Sequence, residues 1–426
     1  MRTTLGSLAG LAVAASAWAA PPTVVGLDPP NGALTVDPAT TALRITFDQP
    51  MRDQSWSFLG GGPTYPETTG APRYVDESTC ELPVALEPGR VYMVGVNSLR
   101  YQGFQSRDGE PAVPLSWRFV TSGGEVTGKV HKSSVAEAVD ALTLRYSHQE
   151  RRNIDWGEAL PDPRTPLSPA AFAVAVSDAL MAAEDMHLGV SLDGASVGGW
   201  SPGVSPNLDP ELLDERITDE LDPVTFAGEV AGLPYLVITS WTSRNRDEQA
   251  SADWLAEHCG GPVILDVRSN GGGDERVAQW LAGHYISQRV VYARQRVRSP
   301  DGTFSEMADR LLDPVGPRCK GDVAVLMGPA NFSSNEAFLM MMRAAGATLV
   351  GAVSGGSSGN PRPVELSNGV VLRVPSWQAF DPQGHALEGV GLAPDIVVAW
   401  TGSGDPVVDA AVTHLVPVPV EEGTEP

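Results

Sequence analysis

Apolar and polar positions change rhythm twice along this chain. From about residue 21 to 123, short runs alternate with period two, as in Leu43, Arg44, Ile45, Thr46 and Phe47 and again over 91–96, and turn clusters at 28–32, 60–63, 88–89 and 107–109 separate them. Such alternation turns one face of each strand inward, and short strands between Gly/Pro turns predict an all-β sandwich of about seven strands. After a Gly-containing linker, 121–128, the spacing becomes helical. Ser134 is followed three positions later by Glu137 in the manner of a capping box, and Val135, Val139, Leu142 and Tyr146 recur on one face. A second helix is predicted from Ser168 and Pro169, with Phe172, Val176 and Leu180 inward, ending just before His187.

From about residue 233 the two rhythms alternate. Strands are predicted at 235–239, 263–267, 290–297, 323–327, 349–352 and 370–374, and helices at 247–258, 275–285 and 335–345. That succession implies a parallel or mixed sheet flanked by helices. The expected fold class is multidomain: an N-terminal sandwich, a helical segment, then an α/β core. The tail after residue 418 is rich in Pro, Glu and Gly and is expected to fray.

Composition narrows the function. With 426 residues, 42% of them hydrophobic, the chain has room for more than one domain and a large core. A formal charge of -23 excludes a nucleic-acid partner and binding to an anionic membrane surface, both of which need basic patches. Arg2, the short apolar run 5–15 and the Ala17, Trp18, Ala19 triplet have the form of a secretory signal, so 1–19 is expected to be removed and the chain exported to the periplasm or beyond. The apolar run is too short to insert as a membrane anchor. Cys80 lies in the β-module, whereas Cys259 and Cys319 each stand a few residues before a core strand. If those strands are parallel neighbours, the two cysteines start from one edge of the sheet and come within bonding range, which predicts a Cys259–Cys319 disulfide and a buried free thiol at Cys80. The alternative is three small buried hydrophobes.

Candidate chemistry centres on residues 328–338 and 265–273. An apolar run ends at a Gly-Pro turn, and Ser333 sits where strand hands over to helix, a position that exposes a hydroxyl beside the first free N–H groups of the helix. The plainer alternative makes Ser333 or Ser334 an N-cap with Glu336 in the first turn. Asp266 and Arg268 are read as structural.

Four stretches in order, 265–273 with its triple glycine, 323–338, 348–356 and 381–398, resemble the core of the tail-specific (C-terminal processing) serine peptidase family. The nearer branch is the one holding the tricorn core protease and the repeats of interphotoreceptor retinoid-binding protein. The likeness covers roughly 130–400, including Asp185, Met186 and His187. It implies a helical lead packed on a core similar to crotonases and Clp-type proteases, and separately the stretch 24–51, closing with 116–123, resembles bacterial immunoglobulin-like modules. Domain bounds are then 20–123 for that module, 129–188 for the helical lead, 189–402 for the core and 403–426 for the tail. The implied partner is a peptide or protein substrate, with no cofactor and no metal.

One arrangement in the family uses a lysine about 25 residues after the serine, but that place here is Ser358. Lysine is confined to Lys129, Lys132 and Lys320, and none follows Ser333. Lys320 precedes the strand leading to the nucleophile, some 20 Å from the hydroxyl at about 3.3 Å per residue. The other arrangement is a charge relay, and the resemblance assigns Ser333 as nucleophile, His187 as base and Glu388 as acid. A serine hydroxyl needs a base within reach, and a carboxylate on the other imidazole nitrogen fixes the tautomer. The oxyanion hole is expected from the N–H of Ser334 and one N–H of the Gly271, Gly272, Gly273 turn, with Gly272 and Gly273 the candidates. Met186 stands where the tricorn-like tetrad has a serine, so the supporting contact is missing or comes from another residue such as Asp185. His385 is the competing histidine.

Residues 195–232 are fewer than the roughly 50 that a small domain needs, so no PDZ module fits there. Two rival readings use the same scaffold: a non-catalytic binding protein and an esterase-type acyl hydrolase. With a histidine base of reference pKa about 6.5, kcat/KM should rise through roughly pH 6 to 7.5 and then level. A profile flat over that range, or rising only above about pH 9, counts against His187.

Overall fold

The runs at 233–238, 263–266 and 323–327 are apolar at nearly every position, the mark of strands covered on both faces. In the computed structural model, which describes residues 20–98, 101–125, 127–244, 246–258, 260–316 and 318–416, they are neighbours in a seven-stranded sheet. Its order is Ile217–Asp222, Thr225–Val230, Leu233–Ile238, Val263–Asp266, Val323–Met327, Thr348–Gly351 and Ile396–Val397. The first two pairings are antiparallel and the remaining four parallel.

Side chains alternate between two cores. Val263, Leu265, Val323, Val325 and Met327 pack with residues of the helices Glu248–His258, Glu275–Gly283 and Ser334–Ala344. Ile264, Ala324 and Leu326 meet Val407, Val408 and Ala411 of the helix Pro406–Leu415. Each such Val or Leu contributes about 1.5–3 kcal/mol by burial, and a slip of one residue would send every side chain to the wrong core. With Val263 opposite Val323 and Asp266 opposite Leu326, the turns after these two strands leave the same edge side by side.

The expected core helices form within two residues of their predicted ends. Two expected strands, however, belong to other sheets. Val290–Val297 is the centre of a three-stranded antiparallel sheet with Ala308–Leu312 and Trp377–Phe380, and Val371–Pro375 joins a four-stranded one with Gly189–Leu192, Ala195–Gly198 and Pro361–Glu365. Both strands are only partly buried along their length, as antiparallel sheets with one wetter face allow.

The helical lead departs from expectation at its start. Its first helix is Gly128–Asp140, continued by a wider turn over Ala141–Arg145. Ser134 lies inside it, its Oγ donating to the Val130 carbonyl at 3.0 Å, and Glu137 instead accepts the Ser367 N–H at 2.6 Å. The capping-box spacing here marks a helix face, not a helix end. The second helix, Pro169–Leu180, begins as expected, with Ser168 Oγ accepting the Ala171 N–H at 3.2 Å.

The contacts divide the chain into two units, Met1–Thr127 with Leu167–Val174, and Gly128–Pro166 with Ala175–Pro426. The first holds two sheets. One runs Val24–Asp28, Ala42–Phe47, Thr79–Ala85, Glu67–Thr68, with Arg73–Tyr74 also on Thr79–Ala85; the other runs Ala33–Val36, Leu115–Thr121, Val91–Val96, Phe58–Leu59. Leu43, Leu82 and Val84 from one sheet and Val94, Trp117 and Phe119 from the other share a single apolar cluster. Among the described residues no helix is long and apolar enough to cross a membrane. The expected leader, 1–19, and the tail after residue 418 lie outside the described residues.

Cys80 is a buried free thiol whose pKa is pushed up to about 12 by burial. Cys319 is disulfide-bonded, and Cys259 lies outside the described residues. Thiol titration of denatured, unreduced protein should therefore find one reactive thiol. Three would rule the bridge out, and with it the roughly 4 kcal/mol that closing a loop of about sixty residues contributes in the chain-entropy account.

Candidate active site

Two asparagines explain why the turns at the sheet edge take their shape. Asn331 Oδ1 accepts the Gly328 N–H at 2.8 Å, closing the turn after Val323–Met327, while its Nδ2 donates to the carbonyls of Val267, Arg268 and Asn270 at 2.6, 3.2 and 3.3 Å. Asn335, one turn into the next helix, accepts from Trp241 Nε1 at 2.8 Å. Beneath them the buried Arg268 guanidinium is held between Asp266 and Asp405, 2.7 Å from each, and donates to the Asn207 carbonyl. The structural role expected of Asp266 and Arg268 is this anchor.

Ser333 emerges from that framework with φ 54° and ψ -127°, in a region L-residues rarely adopt. Such strain costs about 1–3 kcal/mol and persists only where the surroundings impose it; here the Ser333 N–H donates to the Ser357 carbonyl at 2.9 Å. Although it holds the N-cap position of the helix Ser334–Ala344, Ser333 makes no side-chain capping bond. The Ser334 hydroxyl is committed, donating to the Gly273 carbonyl at 2.7 Å. Of the two serines, Ser333 is the one with an unengaged hydroxyl.

The glycine turn lies against it. A Cβ on Gly272 (φ 112°) would meet the Phe332 carbonyl and Ser333 Cβ at 3.0 Å, and one on Gly273 (φ 141°) would meet the Trp241 backbone at 2.7 Å, so neither position admits a side chain. The Gly272 N–H is taken by Asn270 Oδ1 at 2.9 Å. Among the described residues the N–H groups of Gly273 and Ser334 have no hydrogen-bond partner, and both residues line the cavity beside Ser333.

Base and acid candidates meet the loop 354–360 from outside it. His187 Nδ1 is 3.1 Å from Ser357 Oγ, and Glu388 Oε2 accepts the Ser358 N–H at 2.9 Å. Ser333, His187 and Glu388 thus each bond to the Ser357–Ser358 dipeptide. They do not bond to one another: the carboxylate beside His187 Nδ1 is Asp185, at 3.6 Å, whereas Glu388 lies 3.4 Å from both His148 Nε2 and Arg152. His148 Nε2 also lies 3.1 Å from the Ser358 carbonyl; a carbonyl only accepts, so that nitrogen carries the proton. His385 is exposed and pairs with Asp381 at 2.8 Å.

Burial pushes Glu388 up to about 7, aided by the Asp185 charge, and pushes His148 down to about 4. Burial acts the same way on Asp185, but the hydrogen bond and charge of His187 and the charge of His148 outweigh it and hold the carboxyl below its ordinary value. Ligand atoms of His148, Asp185 and Glu388 lie within 4.8 Å of one another. Bonds to Ser358, Tyr146 and His187 already engage them and a guanidinium lies alongside, so the trio works as a hydrogen-bond network.

Residues 232–398 match the profile of peptidase family S41. The chain carries an S41 peptidase domain. That domain is of the tail-specific serine peptidase family that the motifs resemble, and it makes the protein a serine-type hydrolase. The matched span contains Ser333, the glycine turn and Glu388 but starts after His187. No curated protein matches. Among solved structures, a candidate peptidase from Parabacteroides merdae is similar at 20% identity, over 68% of this chain and 98% of its own, with a TM-score of 0.57, which shows a shared fold. The photosystem II D1 C-terminal processing protease is 15% identical over 63% and 93% of the two chains, with a TM-score of 0.43. Mature CPAF, in complex with lactacystin, is 12% identical over 68% and 97%, with a TM-score of 0.47.

Beside Ser333 the S41 domain opens a cavity of about 390 Å³ between the helix Ser334–Ala344 and the three-stranded sheet. Ala337, Met340, Ala379 and Leu387 give it an apolar lining. At its polar wall Arg310 pairs with Glu275 at 2.9 Å, donates to Tyr292 Oη at 3.1 Å and lies over the Trp377 ring.

Sequence reasoning missed Tyr146, His148, Ser357 and the work of Glu336. Glu336 does lie in the first turn, as the plainer alternative had it, but its side chain is wholly buried, accepting from the Gly356 and Ser357 N–H groups at 2.8 and 3.0 Å and from Ser354 Oγ at 2.5 Å. Burial pushes its pKa up to about 8 against those bonds. The folded chain then holds a proton up to about pH 8 that the unfolded chain releases near 4.5. Stability from this group is full below about 4.5 and falls as pH rises toward 8, by at most about 1.4 kcal/mol per unit. Thermal unfolding from pH 5 to 8 should show that decline, and Glu336→Gln, which mimics the protonated form, should flatten part of it. A mutant slope equal to wild type would refute the assignment.

Proposed function

We propose that this serine peptidase is exported and cleaves peptide bonds through Ser333 as nucleophile, His187 as general base and Glu388 as the acid of the set. The observation that carries the reading is the Ser333 hydroxyl, held unengaged on a strained turn between the free N–H groups of Gly273 and Ser334. In this mechanism a substrate side chain enters the apolar cavity and Ser333 Oγ attacks the scissile carbonyl carbon as His187 takes its proton. The carbonyl oxygen becomes an oxyanion stabilised by the Gly273 and Ser334 N–H groups and the helix N-terminus. His187 then returns the proton to the leaving amine, leaving an acyl-enzyme that water, activated by the same imidazole, hydrolyses. Glu388 steadies the site through Ser358, next to the Ser357 that meets the imidazole. Gly272 contributes by its lack of a side chain, since its N–H is already used.

Export rests on the signal-like N-terminus and on the disulfide at Cys319, a bond that persists in oxidising compartments. The module over 20–123 we read as an immunoglobulin-like spacer or binding platform, supported by its two sheets sharing one apolar cluster.

A fluorophosphonate probe tests the nucleophile. Folded wild-type protein should label at Ser333, and Ser333→Ala should abolish both labelling and peptide hydrolysis. No labelling of folded wild type would instead favour a binding protein on this scaffold, and turnover of esters without peptides an esterase.

A further inference from the structure

Resting on the assignment of Ser333 and His187 above, we infer that Asp185, held by the Tyr146 hydroxyl, is the carboxylate that orients His187, leaving Glu388 to fix the loop that carries Ser357 and Ser358. Asp185 is completely buried two residues before the histidine. Its Oδ1 accepts the His187 N–H at 2.8 Å and stands 3.6 Å from Nδ1 of the same residue. Its Oδ2 accepts from Tyr146 Oη at 2.9 Å, and that tyrosine, just past the wider turn that ends the lead's first helix, is itself fully buried. Ser357 Oγ supplies a second polar contact to Nδ1 at 3.1 Å.

These contacts set the tautomer. For Nε2 to receive the Ser333 proton, Nδ1 must carry a hydrogen; Ser357 Oγ is the acceptor within bonding reach at 3.1 Å, and the Asp185 Oδ1 charge stands beside it at 3.6 Å. When the imidazole becomes cationic in the transition state, the Asp185 charge lies beside it in a site closed to water, where such an interaction is strongest. Glu388 is differently engaged: Ser358 N–H on one side, His148 and Arg152 on the other. The ionisable groups facing this network are Tyr146, His148 and Arg152 from the lead, Asp185 before the base, and Glu388 from the late loop. Burial and the Asp185 charge raise the Tyr146 phenol well above its ordinary value, so it remains a donor throughout the working range. Met186 leaves no polar group between Asp185 and His187 in sequence, and the Tyr146, Asp185 and Ser357 contacts fill the role that a neighbouring serine would otherwise take.

Steady-state kinetics and fluorophosphonate labelling from pH 5 to 9 test the inference on purified, folded variants. Asp185→Asn should lower kcat by about a thousandfold or more with KM little changed, and should move the acid limb of kcat/KM to lower pH because the imidazolium loses its counter-charge. Tyr146→Phe removes one hydroxyl and keeps the ring, so it serves if Asp185→Asn does not fold; it should lower kcat about tenfold at unchanged KM. Wild-type kcat and an unshifted limb in these variants, with Glu388→Gln inactive, would overturn the inference and return the orienting role to Glu388. His187→Gln separates the levels: loss of labelling upholds the underlying assignment, whereas labelling that survives overturns that assignment and this inference together.

Discussion

The site depends on the amide of Asn331. Two parallel strands, Val263–Asp266 and Val323–Met327, end side by side, but strand pairing alone leaves the turns beyond them free to diverge. One buried amide closes the second turn with its oxygen and holds the first with its nitrogen. The unengaged hydroxyl of Ser333 and the unengaged N–H of Gly273 thereby belong to one rigid object, and the helix that begins at Ser334 adds its own N–H to it. A buried amide deprived of these partners would cost more than the bonds contribute, about 1–3 kcal/mol per unsatisfied group against about 0.5–1.5 kcal/mol per bond, so the geometry resists loosening.

Opposite this object stands a softer one. The loop 354–360 has no regular structure and is suspended from two buried carboxylates, Glu336 through the Gly356 and Ser357 N–H groups and Glu388 through that of Ser358. It delivers the Ser357 carbonyl to the nucleophile turn and the Ser357 hydroxyl to His187. Taking two carboxyls out of water is unfavourable, and burial is the chief cause of the raised pKa of each.

What the sequence disclosed follows from what local patterns encode. The strand-to-helix junction at Ser333, the glycine turn and the core helices were legible because apolar periodicity and Gly/Pro punctuation are properties of adjacent residues. The antiparallel pair Ile217–Asp222 and Thr225–Val230 was missed; its outer strand is largely exposed and its apolar pattern weak. Ser134 and Glu137 misled because capping spacing also occurs on helix faces. Glu336 sits where a capping acid would, and only tertiary burial tells the two roles apart. The nearness of Asp185 to His187 was legible from their two-residue spacing, but the approach of Glu388 to His148 and Arg152 was not, since residues 148, 152 and 388 are brought together only by the folding of the whole core.

That dispersal has a consequence for the nascent chain. His148 meets the Ser358 carbonyl across 210 positions of sequence, and Arg152 meets Glu388 across 236. No fragment that ends before residue 388 holds the complete constellation, and none that ends before residue 333 carries nucleophile and base together. The full set of contacts therefore forms only once the late loop has docked against the helical lead.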